Sequence, residues 1–200
     1  MDDNQVEKFR SLMKQNPDFA ARVEEDVVGD SRLKRFVVAR NGDLTKAKAM
    51  FEDRLRWRKE NNIEEIRAKV IDKPFLVENF PHTAELRDAG MGLIDVVVNA
   101  GLSRLGDVVH IELLGGDHVE VPPGKSQEEY LQKLYEHYYG FFERRSIYLE
   151  DLSVKESKVI RCVQIRDFSK LSIMPQKGVF SVIRKILTSG IGKSYQLGIV

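Results

Sequence analysis

Two runs rich in β-branched residues, Val108 to Leu114 and Val159 to Ile165, are separated by a long stretch of helical character, and this order commits the C-terminal part of the chain to an α/β fold. Gly115-Gly116 closes the first run, and Pro122-Pro123-Gly124 makes a loop before the helix. Ser126 is placed to cap that helix, with Glu129 as its capping-box partner three residues on. Leu131, Leu134, Tyr138 and Phe141 mark its buried stripe. Tyr130, Tyr135, Tyr139, Phe142 and Tyr148 extend the apolar surface beyond one face. Such a helix either packs between two layers or packs on one side and lines a cavity on the other. Leu93 to Val98 has the composition of a further strand, Gly178 to Thr188 reads as a helix, and Leu197 to Val200 resembles the start of another strand.

The N-terminal part is helical up to a boundary near residue 75. From Gln5 to about Val28 two short helices are expected, with Pro17 restarting the helix after Asn16, a good N-cap, and Gly29 ending it. Asp30 or Ser31 can cap the next segment, in which Leu33, Phe36 and Val37 form one face. After the Asn41-Gly42 break, Asp43 caps the clearest amphipathic helix, with Leu44, Ala47, Phe51 and Leu55 on its stripe.

With 42% hydrophobic and 32% charged residues among 200, the chain belongs to the soluble globular class. Its 32 basic and 31 acidic residues remove the bulk electrostatic case for binding nucleic acid. A single cysteine, Cys162, excludes an internal disulfide, and inside an apolar strand it reads as an inert buried thiol. The acidic start lacks the apolar core of a secretory signal, so a cytoplasmic location is expected. The most apolar stretch, Met91 to Leu102, is far short of the ~20 residues needed to span a bilayer, which leaves only peripheral membrane contact.

Four groupings invite a chemical reading. Gly190-Ile191-Gly192-Lys193-Ser194 has the second half of a phosphate-binding loop, but Leu187 stands where the first glycine belongs, and a helix C-cap is the simpler account. His110 and Glu112 share a strand face near Asp117 and His118; the spacing matches no closed zinc motif, and a polar face toward a cleft or solvent is the plainer reading. His82 and His137 have no partner at a diagnostic spacing and read as surface residues. The window Ser31 to Lys59 holds ten basic residues, including Arg32, Arg35, Arg54 and Arg58, against Asp43, Glu52 and Asp53. It is either a patch for acidic lipid headgroups or a phosphorylated ligand, or a solvated helix face.

Leu33 to Ala47, running on to Leu55-Arg56-Trp57-Arg58, resembles the N-terminal helical segment of the CRAL-TRIO family, which includes phosphatidylinositol transfer proteins. Gly106 to Glu112 is similar to the family's strand that begins at Gly-Arg-Pro-Val, and Val163 to Ser172 resembles its strand and turn ending in Asp-Leu-Lys-Gly-Leu-Ser. Asp107 and Val108 replace the Arg-Pro, Lys170 replaces the glycine, and Met174 stands where a hydroxyl residue follows the serine.

The resemblance implies a small helical bundle over residues 1–75. It is followed over 76–200 by part of a CRAL-TRIO mixed-sheet domain with flanking helices, whose sheet floors a pocket for a phospholipid or other lipophilic small molecule. Alternation in Val109, Ile111 and Leu113 fits such a floor, with His110 and Glu112 on the opposite face. Carried over, the ligand-binding residues are Arg35 or Arg40 from the first motif, His110 and Glu112 from the second, and Gln164, Asp167 and Ser172 from the third. The family continues well past the point matching Val200, so a fragment or a shortened member with an open pocket is expected. The implied protein is a non-enzymatic monomer without a cofactor. The alternatives are a protein-interaction module without lipid, or a truncated inactive fragment.

Overall fold

The computed structural model describes residues 3–88, 96–115 and 126–170. Helices α1 (Asp3–Met13), α2 (Pro17–Ala20), α3 (Glu25–Val28), α4 (Asp30–Ala39), α5 (Leu44–Glu60) and α6 (Ile63–Val70) form the N-terminal part. A 3-10 turn (Val77–Asn79) and α7 (Thr83–Asp88) lead to strands β1 (Val96–Leu102) and β2 (Val108–Gly115). The long α8 (Gln127–Lys155) then carries the chain to β3 (Cys162–Lys170). The sheet runs β1-β2-β3, antiparallel between the first two strands and parallel between β2 and β3, so α8 is the crossover that a parallel pair requires. The described chain is therefore mixed α/β. The expected helix over 178–188, the strand start at 197–200, the glycine-lysine segment at 190–194 and the loop at 122–124 lie outside the described residues.

Side-chain caps set the start of α2, α5 and α8. Asn16 accepts from Phe19 N, Asp43 from Lys46 N and Ser126 from Glu129 N, each relieving one donor of a first turn. The Glu129 carboxylate meets Lys133 one turn on, at 3.0 Å. Two expectations are corrected. The stretch up to Val28 forms three helices rather than two, because Val23 N turns to the Glu24 side chain at 3.1 Å, a local alternative to helical bonding. Gly29 occupies the N-cap of α4 without a side-chain bond; Asp30 is already helical and spends its carboxylate on Arg10 at 2.6 Å.

The strands also shift. β1 extends to Leu102 with an irregularity between Val97 and Gly101. β3 begins at Cys162 and continues past Asp167, while Ile160 is buried in the connection, its amide bonded to Ser153 Oγ at 2.9 Å.

Two apolar clusters stabilise the helical part. One joins α1, α2, α3, α4 and α5 around Phe9, Phe19, Phe36 and Phe51, whose rings meet edge-on or tilted at 4.6–6.3 Å. The other seats α8 on α5, α6 and the 3-10 turn through Trp57, Ile63, Phe80, Leu134 and Phe141. Gly140 permits this closeness, because a Cβ there would lie 2.5 Å from Pro81 Cδ.

His137 is buried beside the same proline, contrary to its expected surface position. The i+3 and i+4 spacings from Leu134 to Phe141 turn that face of α8 inward. Its Nδ1 lies 2.9 Å from Pro81 O, and burial first, then the nearby His82 and Arg87, push the imidazole down to about 4. The unfolded value is about 6.5, so between these values the unfolded chain binds a proton that the fold excludes. This contribution is intact above about pH 6.5 and is lost as the pH falls toward 4, with a limiting slope of about 1.4 kcal/mol per unit. Urea midpoints of parent and His137→Gln measured across that window are expected to converge toward the acid end. Parallel curves would refute the assignment.

Candidate functional site

The sheet has two chemically different faces. Residues of alternate parity pair across β2 and β3, Val108 with Cys162, His110 with Gln164 and Glu112 with Arg166, and this face meets α8. Val108, His110, Glu112 and Cys162 are all buried. The His110 ring stacks on Phe141 of α8 at 5.0 Å and 29°. The expectation that His110 and Glu112 look into a cleft or solvent is thus corrected: alternation separates two faces but does not say which one a later helix will cover.

Glu112 Oε2 accepts from Arg166 Nε at 2.9 Å, and Oε1 lies 3.5 Å from His110 Nε2. Burial pushes the Glu112 carboxyl up, but the bonds from His110 and Arg166 outweigh it and hold the group below its ordinary value. Cys162 is buried below, its thiol pushed up by burial. Arg166 and Phe141 complete this arrangement; the pairing of Glu112 with Arg166 could have been found by aligning the two strands in parallel.

The opposite face carries Val109, Ile111 and Leu113 of β2, with Val163 and Ile165 of β3 in register beside the first two. All five are apolar. The first four are half-buried and Ile165 is 48% exposed, so the strip keeps apolar surface open along two strands. Asp167, in register with Leu113, is exposed at its end, and its carboxylate accepts from Ser169 N at 2.8 Å.

The basic window dissolves into two kinds of residue. Arg32, Arg35, Arg54 and Arg58 are buried, and only the others, Arg40 among them, reach the surface or its edge. Arg35 Nε lies 3.5 Å from Glu150 on α8 and its Nη2 donates to Ser153 Oγ at 2.8 Å. Burial first, then the adjacent Arg32, lower the guanidinium to about 10, against the opposing pull of Glu150. Arg32 Nη2 donates to Ser146 Oγ at 2.5 Å. Arg58 Nη1 donates to Glu143 Oε2 at 2.9 Å, and Arg67 spans Glu143 and Asp26. Helix α8 therefore presents carboxylates to arginines of α4, α5 and α6.

The structure gathers His110, Glu112 and Gln164 behind the sheet and places Asp167 at the end of the open strip. Arg35 and Arg40 lie on and just after α4, and Ser172 lies outside the described residues. Among the described residues no group of three or more His, Cys, Asp or Glu side chains is arranged to hold a metal; Asp117 and His118 are not among them. No described helix is long and apolar enough to cross a membrane.

Among the described residues, a three-stranded mixed sheet with a partly exposed apolar strip, braced behind by a long helix that is itself clamped to a helical N-terminal part, is the class of structure defined here. No protein-family model matches it. Among curated proteins it is similar to the SEC14 cytosolic factor of Eremothecium gossypii, with 30% identity over 196 residues. The similarity covers 95% of this chain and 54% of that protein, so the chain spans about half the length of the relative it matches.

Proposed function

We propose that the chain is a distant member of the CRAL-TRIO family that binds a phospholipid or similar lipophilic molecule without transforming it, in the cytoplasm. The observation that carries this reading is the open strip of Val109, Ile111, Leu113, Val163 and Ile165. An acyl chain laid along it gains about 0.8 kcal/mol for each CH₂ removed from water. The similarity to the SEC14 cytosolic factor, a CRAL-TRIO protein, supports the reading from a separate direction.

In this account residues 1–75 form the helical part and 76–200 part of the lipid domain. His110, Glu112 and Gln164 brace the sheet from behind, while Asp167, Ser172 and the exposed Arg40 are the polar candidates for a headgroup.

Membrane contact falls to the β1–β2 hairpin in the same account. Ser103 orders its tip, its Oγ accepting from Leu105 N and Asp107 N at 3.2 and 3.1 Å. Leu102 and Leu105 are 68% and 72% exposed there, with Arg104 between them and Lys158 Nζ donating to Leu105 O at 3.3 Å. Two outward leucines among cations suit an anionic lipid surface.

One experiment separates the parts. The 200-residue chain is incubated with phosphatidylcholine vesicles containing phosphatidylinositol, re-isolated, and weighed under native conditions. A single lipid adduct is expected. Ile165→Asp should lose the adduct yet still co-sediment with vesicles, whereas Leu105→Asp should co-sediment several-fold less. Bare parent protein after this exposure would overturn lipid binding and favour an interaction module.

A further inference from the structure

A concavity lies where α8 meets α5 and α6. Its volume is about 380 Å³, within the range of small-ligand pockets. Three rings contribute to its wall. Trp57 stands edge-on to Tyr139, with centroids 5.3 Å apart and planes at 88°, and Tyr135 stacks beside Tyr139 at 6.2 Å. The corner is held firmly: Tyr139 Oη donates to Asn61 Oδ1 at 3.2 Å, and Asn61 Nδ2 donates to Trp57 O at 2.8 Å.

Glu60, Glu65 and Glu136 also line the concavity, with Lys69 as its lysine. Lys69 is engaged, its Nζ lying 3.4 Å from Glu136 Oε2, which also meets His82 Nε2 at 3.2 Å. Glu60 and Glu65 remain exposed carboxylates at the rim, so the site carries net negative charge around an aromatic wall. Rings present the negative face of their quadrupole to a cation, and carboxylates add long-range attraction without competing for the apolar surface. A hydrated metal ion gains little from the rings, and an anion is repelled by the rim.

We propose that this concavity binds a small methylated ammonium ion. The proposal is independent of lipid binding at the sheet, because its residues lie on α5, α6 and the first half of α8. The methyl groups fill the ring corner and the positive charge faces Glu60 and Glu65.

The chain contains one tryptophan, Trp57, so its fluorescence reads the site directly. The whole chain is titrated with tetramethylammonium chloride, with sodium chloride at matched ionic strength and 3,3-dimethylbutan-1-ol, the neutral isostere of choline, as controls. A saturable change with tetramethylammonium alone is expected. Combined Glu60→Gln and Glu65→Gln, both at exposed positions, should weaken it by about tenfold, and Tyr135→Ala by a similar factor. A response indistinguishable from that to sodium chloride overturns the proposal, as does equal saturation by the neutral alcohol. Undiminished binding in the double glutamine variant does so as well.

Discussion

Replacing Glu143 with glutamine is expected to destabilise the fold by about 3 kcal/mol, at the lower end of the cost of removing one partner from a buried ion pair. Glu143 is 0% exposed and accepts from Arg58 at 2.9 Å and Arg67 at 3.3 Å. The amide preserves the volume but leaves two guanidinium groups with one charge fewer to neutralise them. Asp26 on Arg67 and Glu64 on Arg58 keep the cost from rising further. For a chain of this size that loss lowers the melting temperature by roughly 6–12 °C. Glu64→Gln is the control: Glu64 contacts the same Arg58, but its side chain is 44% exposed, and its loss should cost under about 1 kcal/mol. Equal shifts for the two variants would mean that the α8 carboxylate has no special place in the network.

Phe141→Ala is expected to cost about 3–5 kcal/mol, the range for truncating a buried phenylalanine. Phe141 touches both layers. Its ring packs on Phe75 at 6.0 Å and Phe80 at 5.4 Å on the helical side, stacks on His110 of β2, and lies under the Arg145 guanidinium at 5.2 Å. Its removal should also loosen α8 from the sheet. Cys162, the sole cysteine and 1% exposed, offers a second readout, since it lies in the sheet face that α8 covers. Its reaction with a thiol reagent in native buffer should accelerate in Phe141→Ala and much less in Phe141→Leu. A lowered urea midpoint without faster thiol reaction would confine the damage to the helical side.

What the sequence made legible is what short-range chemistry decides. Asn16, Asp43 and Ser126 cap where a polar side chain precedes an apolar repeat, and Leu33, Phe36, Val37, Phe51 and Leu55 are buried as their spacing requires. The two β-branched runs are strands, and the helix between them is the crossover. The open apolar strip was visible as alternation in β2. The burial of its polar reverse was not, because His110 becomes a core residue only when Phe141, far along the chain, arrives beside it. The arginines show the same limit. Arg32, Arg35, Arg54 and Arg58 look like a solvated stripe in sequence, since arginine is rarely buried without a partner. The partners for Arg32, Arg35 and Arg58 are Glu143 and Glu150, which no local pattern connects to them.

That separation along the chain has a consequence for synthesis. On the ribosome α4, α5 and α6 emerge complete, with their apolar faces ready to meet. Arg58 and Arg67, however, wait 85 and 76 residues for Glu143, and Arg35 waits 118 for Ser153. Until α8 has left the exit tunnel, Arg58 and Arg67 have Glu64 and Asp26 but not yet Glu143, and Arg35 has neither Glu150 nor Ser153, so the buried network of the early helices is incomplete. Arrival of α8 supplies Glu143 and Glu150 together and completes the N-terminal network, before β3 follows to pair with β2.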